Sequence, residues 1–275
     1  MNAIHDTLSA LLLCLTIAAN LNPAQAGFTR ITTGPVVTDG TDGQGCAWVD
    51  FNNDGLLDLY VSCNRTGQNL LYRNDGNGVF TKITSGTIPS AGGGSYSASW
   101  ADLDNDGRLY LFISKQNGGP SLLFHQEADG SFTRTSVPTG GAVNGSAWGD
   151  YDGDGFVDLR VGDPSQDILW HNDGLGHLVA VPGTPKLAPT VGQLVWMDFD
   201  NDGRCDLIVS SGANSGAFRV FRNNGEGSFT EVKGTGLEQA TFGTGIACGD
   251  YDNDGFTDVF VARLWRVLQQ RGGGH

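Results

Sequence analysis

Asp150-Tyr151-Asp152-Gly153-Asp154-Gly155-Phe156-Val157-Asp158 carries carboxylates at its first, third, fifth and ninth positions and Gly at its sixth. Oxygen ligands at that spacing, folded over a glycine turn, suit a calcium ion. Near copies start at Asp50, Asp102, Asp198 and Asp250, so the starts lie 52, 48, 48 and 52 residues apart. Five acidic loops at near-constant period indicate a repeat architecture.

Each loop defines a candidate ligand set. In the third, Asp150, Asp152, Asp154 and Asp158 offer carboxylates and Phe156 a backbone carbonyl. The fourth offers Asp198, Asp200, Asp202, Asp206 and the Arg204 carbonyl, and the fifth Asp250, Asp252, Asp254, Asp258 and the Phe256 carbonyl. The first has Asp50, Asn52, Asp54, Asp58 and the Leu56 carbonyl, so one ligand is neutral. The second has Asp102, Asp104 and Asp106, but Tyr110 stands at the closing position. A neutral phenol supplies no bidentate carboxylate, so this loop is expected to be weak or empty. Plain solvated Asp-Gly turns explain one such loop. They do not explain three or four carboxylates in nine residues, five times over.

Around each loop the sequence alternates as strands do. Gly45 to Asp50 precedes the first loop, and Asp58 to Cys63, Asn69 to Arg73 and Val79 to Ile83 follow it, with Asn74 to Gly78 as a turn. Four strands per period of about 50 residues predict a β-propeller blade. The fold class is therefore all-β, a propeller of about five four-stranded blades over residues 27–275. Trp48, Trp100, Trp148 and Trp196 recur two residues before the loop Asp, with Cys248 in that place in the fifth repeat. Such a ring is a sugar-stacking platform or a core residue. Its fixed register on an inner strand favours core.

The ends are irregular. Gly27 to Ile31 matches a fourth strand without its own blade, whereas the fifth repeat has two clear strands and at most a third at Leu264 to Leu268. Ring closure by strand exchange and truncation of a longer array with more blades both account for this.

Residues 1–26 are expected to be a secretory signal peptide. Leu8 to Ala19 is apolar but too short to span a bilayer, and Ala24-Gln25-Ala26 is a cleavage pattern. The segment before it lacks Lys and Arg, and an N-terminal core helix is the alternative reading. Cleavage leaves Cys46, Cys63, Cys205 and Cys248. Cys46 and Cys63 lie on either side of the first loop and are candidates for a disulfide across the first two strands. Asn64-Arg65-Thr66 and Asn144-Gly145-Ser146 are glycosylation sequons.

The net charge is −14, and the five loops hold eighteen of the thirty acidic residues. Five divalent ions bring the charge to about −4, so metal binding and folding are expected to be coupled. So acidic a chain is a poor partner for nucleic acid or anionic membrane, and no membrane insertion is expected after signal cleavage.

The stretches Trp148 to Leu159, Ala47 to Val61 and Leu71 to Thr81 resemble FG-GAP/VCBS repeats, the blades of integrin-α-like propellers. The last also resembles the cartilage acidic protein group. The resemblance covers residues 27–262 and implies seven blades, loop-bound calcium (Ca2+) and adhesive or ligand-binding roles. Only five motifs are present. The chain contains no H-E-x-x-H, G-x-S-x-G or G-K-[ST] motif, and His125 and His171 read as surface-facing strand ends. The expectation is a secreted or cell-surface module binding an extracellular protein or glycan. A carbohydrate-active enzyme, or a remnant of a longer array, is the alternative. Ligand contacts are expected on the face opposite the metal loops, in Thr33 to Gln44, Ser85 to Ser95, Thr139 to Gly145, Gly183 to Gln193 and Gly234 to Thr244.

Overall fold

The structure is a computed structural model that describes residues 30–40, 42–64, 67–115, 119–137, 143, 145–162, 168–184, 192–210, 218–239, 245–261 and 266–268. The expected signal peptide lies outside them, and so does Gly27 to Thr29 of the spare strand; Arg30 and Ile31 are not in a strand. The chain divides into two compact units, the first ending at Thr38. Its described residues contribute one helical turn, α1 (Pro35–Thr38), in which the Val37 and Thr38 amides donate to the Gly34 carbonyl.

The second unit is a succession of antiparallel sheets in chain order. The first holds β1 (Gly43–Val49), β2 (Asp58–Cys63), β3 (Leu70–Asn74) and β4 (Phe80–Ile83). The second holds β5 (Ser95–Ala101), β6 (Tyr110–Lys115), β7 (Leu122–Gln126) and β8 (Phe132–Ser136). The third holds β9 (Gly145–Gly149), β10 (Asp158–Gly162), β11 (Ile168–Asn172) and β12 (Leu178–Ala180). The fourth holds β13 (Leu194–Met197), β14 (Asp206–Val209), β15 (Arg219–Asn223) and β16 (Phe229–Val232). The fifth has three described strands, β17 (Ile246–Gly249), β18 (Asp258–Val261) and β19 (Arg266–Leu268).

Every sheet is a meander, and every acidic loop joins its first two strands. The register is the same each time: Val49 pairs with Asp58, Ala101 with Tyr110, Gly149 with Asp158, Met197 with Asp206 and Gly249 with Asp258. The closing position of each loop is thus the first residue of the second strand. First strands pack against one another in sequence, β1 on β5, β5 on β9, β9 on β13 and β13 on β17. Second strands are the most buried, with β6, β10 and β14 covered along their whole length, whereas β4, β12 and β16 keep exposed or half-exposed faces. This gradient explains the near-continuous apolar second strands: sheets cover them on both faces.

Aromatic rings fill the space between blades. Trp100 meets Tyr60 of the preceding sheet edge-on at 6.1 Å, and Trp148 meets Phe112 at 6.4 Å. The Trp196 ring lies against Gly149, where an added Cβ would approach to 2.5 Å, and its Nε1 donates to the Ala147 carbonyl at 3.2 Å. These three tryptophans are packing residues, as expected. Trp48 differs, being 57% exposed and meeting, among the described aromatic residues, only Phe80 of its own blade. No described blade precedes it to supply the partner that Tyr60 is to Trp100.

The expected Cys46–Cys63 pairing is corrected. Both thiols are free, and Cys46 pairs with Val61 whereas Cys63 pairs with Gly43. A register shift between Gly43 and Gly45 adds to the offset. The two cysteines therefore do not face each other.

Candidate metal centre

The five loops share one internal hydrogen-bond design. The first Asp accepts the backbone amide of the fifth residue on one oxygen and that of the sixth on the other. For Asp50 these are Asp54 at 3.1 Å and Gly55 at 2.8 Å; for Asp198 they are Asp202 at 3.1 Å and Gly203 at 2.8 Å. Asp102, Asp150 and Asp250 do the same. The fifth-position Asp accepts the amide of the seventh residue, whose carbonyl is the expected ligand: Leu56, Arg108, Phe156, Arg204 and Phe256 donate to Asp54, Asp106, Asp154, Asp202 and Asp254. The turn needs left-handed backbone at the fourth and sixth positions. Asn53, Asn105, Asn201 and Asn253 adopt φ between 56° and 58°, Gly153 takes that place in the third loop at 77°, and the sixth position is always Gly.

The closing aspartates are the structural pivots. Asp58, Asp158 and Asp206 are fully buried at the start of their strands. One oxygen of each accepts the amide of the second loop residue, Phe51, Tyr151 or Phe199, at 3.0–3.1 Å. The other accepts the amide of Asn74, Asn172 or Asn223 at the end of the third strand, at 2.7–2.8 Å. Asp258 accepts the Tyr251 amide likewise. Burial outweighs these bonds and pushes Asp158 and Asp206 up to about 6; it raises Asp58 as well. The chain alone thus under-compensates these charges, which a cation would correct.

Carboxylate oxygens converge, within 4.8 Å of one another, in four loops: Asp102 with Asp104 and Asp106, Asp150 with Asp152 and Asp154, Asp198 with Asp200 and Asp206, and Asp250 with Asp252 and Asp254. Two of these oxygens, Asp104 Oδ1 and Asp200 Oδ1, are buried without a hydrogen-bond partner. An acceptor left unpaired inside a carboxylate cluster fits a hard oxygen-seeking dication. The first loop is different. Asn52 Nδ2 donates to Asp54 at 2.8 Å, and the carboxylates of Asp50, Asp54 and Asp58 are not among the converging groups of the described residues. In the fourth loop Arg222 lies over the acids, 2.9 Å from Asp200 and 3.2 Å from Asp202.

Tyr110 makes the second loop an exception. Its ring stacks on His125 at 4.5 Å, and its hydroxyl fills the space where Gly176 of the next blade lacks a Cβ. Burial and the nearby loop carboxylates push the phenol up to about 12, so it stays neutral. Gln126, at the end of the third strand, accepts the Leu109 amide on Oε1 at 3.2 Å. Tyr110, His125, Trp170 and His177 line a cavity of about 330 Å³ between the second and third blades. His125 Nε2 and Trp170 Nε1 are buried there without partners. The β11–β12 turn forms part of its lining. Of the loops expected to carry ligand, Ser85–Ser95 is described in full, and the others lie partly outside the described residues.

Two sets of residues escaped the sequence reading. The residue at the end of the third strand ties the second, third and fourth blades to the previous loop: Asn172 Nδ2 donates to the Leu103 carbonyl at 2.7 Å, Asn223 Nδ2 to Tyr151 at 2.6 Å, and Gln126 Nε2 to Phe51. The fourth-position Asn reaches forward, Asn105 to Gly155 at 3.2 Å and Asn201 to Gly255 at 2.9 Å. The recurrence of Asn74, Asn172 and Asn223 before a turn was visible, but it reads locally as turn chemistry. His171 is also corrected: it is a half-buried residue between Asp152 and Asp158, not a surface-facing strand end.

Stacked four-stranded meanders with an acidic loop between first and second strands define a propeller-like repeat protein. The family model for the FG-GAP-like repeat matches residues 50–113, 106–161, 150–209 and 198–261, and the chain belongs to that family. It is 28% identical over 238 residues to mouse cartilage acidic protein 1, covering 78% of this chain and 35% of that protein. It is 40% identical over 91 residues to Xenopus laevis integrin alpha-4, covering 29% of this chain and 9% of the integrin. The chain therefore spans about a third of the length of the cartilage protein that it matches. Among solved structures it is similar to an Agrocybe aegerita lectin that recognises non-reducing terminal N-acetylglucosamine, with TM-score 0.58 and 17% identity over 88% of this chain and 67% of the lectin. At that identity the likeness concerns the fold alone. No helix among the described residues is long and apolar enough to cross a membrane.

Proposed function

We propose that the chain is a calcium-stabilised, extracellular ligand-binding propeller whose acidic loops clamp the first two strands of each blade. The observation that carries this reading is the repeated loop itself, in which backbone amides hold a buried closing Asp in the first, third and fourth loops and carboxylate oxygens converge in four of the five. Such a loop costs stability without a cation and gains it with one. The ligand is an extracellular protein or glycan. The variable blade-to-blade loops, on the face opposite the metal loops, are where it is met. The concentration of negative charge in the loops argues against nucleic acid and anionic membrane as partners.

Native mass spectrometry and thermal melting with and without EDTA test the metal reading. Calcium adducts and a chelator-dependent fall in Tm are expected; an unchanged Tm refutes it. A glycan and protein-ligand array tests the binding reading. Turnover of a polysaccharide in the same screen would replace binding with carbohydrate-active catalysis.

A further inference from the structure

The third loop has a feature that the others lack. The registers Leu59–Tyr72, Leu159–Trp170 and Leu207–Phe221, extended by one residue, set Arg73, His171 and Arg222 opposite the closing aspartates, and His125 pairs with Tyr110 in the same place. Arg73 turns away to Asp75 at 2.8 Å. Arg222 lays its guanidinium over the fourth loop as a built-in cation. Only His171 brings a coordinating nitrogen to loop carboxylates, among the described residues. Its Nδ1 is 3.1 Å from Asp152 Oδ2 and 3.3 Å from Asp158 Oδ1, and these atoms lie within one ion's reach of one another. The nitrogen is buried and satisfies hydrogen-bond geometry with neither carboxylate. Asp158 is fully buried and held by the Tyr151 and Asn172 amides, and the Tyr151 ring stands edge-on to the imidazole at 6.2 Å. Two of the three ligand-bearing side chains are therefore fixed in place before any ion arrives.

From this geometry we infer that the third loop, with His171, forms a mixed nitrogen–oxygen site that takes a first-row transition dication such as zinc or manganese in preference to calcium. Calcium binds through oxygen alone, and an imidazole nitrogen adds little to it. Zinc and its neighbours accept imidazole and carboxylate together, and gain affinity from the nitrogen. The site rests on the reading of the loops as cation sites, and gives one of them a different ion from the rest.

The full chain is dialysed against zinc in a large excess of calcium, as wild type and as His171→Gln, His171→Arg and His177→Gln. His177 is an exposed imidazole paired with Asp173 and controls for surface binding. Wild type and His177→Gln are expected to retain one zinc per chain. His171→Gln should weaken zinc binding at least ~100-fold, since even an outer partner of a ligand is worth 10–100-fold. His171→Arg should recreate the fourth loop's guanidinium and bind none. Pulsed electron paramagnetic resonance on wild type loaded with manganese should show coupling to one imidazole nitrogen. Zinc lost to calcium in wild type, full retention by His171→Gln, or absence of nitrogen coupling overturns the inference; the last needs no variant to fold. A calcium-dependent rise in Tm separates the two readings. If it persists while zinc is not retained, only this inference falls. If it is absent as well, the calcium reading has failed.

Discussion

Asn223→Ala isolates what one inter-blade hydrogen bond contributes. The Asn223 side chain is fully buried; its Nδ2 donates to the Tyr151 carbonyl of the preceding loop at 2.6 Å and to the Cys205 carbonyl at 3.0 Å, and its Oδ1 accepts the Gly225 amide at 2.9 Å. Its backbone bond to Asp206 survives the substitution. Each lost bond costs about 1 kcal/mol net, and the carbonyl left unpaired in the interior adds about 1 kcal/mol or more, so the expected loss is about 3–4 kcal/mol. Asn74→Ala is the matched control. Asn74 donates to the Leu57 carbonyl of its own blade at 3.0 Å and accepts from Gly76 at 3.0 Å, with water at hand to replace both. Its expected loss is about 1 kcal/mol. At roughly 2–4 °C per kcal/mol for a chain of this size, the calcium-loaded Asn223 variant should melt about 6–16 °C below wild type. Differential scanning calorimetry measures both. Equal shifts for the two variants would refute the claim that the asparagine works across blades.

In the metal-free chain Asp158 and Asp206, raised by burial from 3.8 to about 6, take up protons on folding. Their contribution is present at low pH and lost as pH rises through about 6, so EDTA-treated protein should melt higher at pH 5 than at pH 7.5. Calcium should reverse that order by favouring the ionised forms, and melting curves in the four conditions check it. Gly145→Ala brings a Cβ to 2.1 Å from the Gly192 carbonyl on the facing blade, and should cost at least about 2 kcal/mol in chemical denaturation. Tyr110→Asp restores the closing carboxylate opposite His125 and empties the space against Gly176. It should lower Tm in EDTA and add one calcium per chain by native mass spectrometry.

The sequence by itself determined the repeat, the strand order and the loop design. These follow from short-range chemistry: alternation marks strands, and the loop bonds of Asp50 or Asp198 span at most five residues. The five sheets, the placement of every loop between first and second strands and the distinct environment of Tyr110 were legible on that basis. Tertiary structure decided what depends on register and on neighbouring blades. Cys46 and Cys63 flank the same loop yet are offset in the ladder, because pairing is counted from Val49 and Asp58, three residues after Cys46 and five before Cys63. Trp48 matches Trp100 in sequence, but a ring is buried only where another blade supplies its partner. Asn223 reads as a turn residue, and its strongest side-chain bond reaches back 72 residues. His171 reads as a strand end, and the pairing of β10 with β11 sets it between two carboxylates of its own loop. The physical reason is common to all four. Local backbone geometry is encoded within a few residues, whereas the surroundings of a side chain are set by segments that meet only when the sheets assemble.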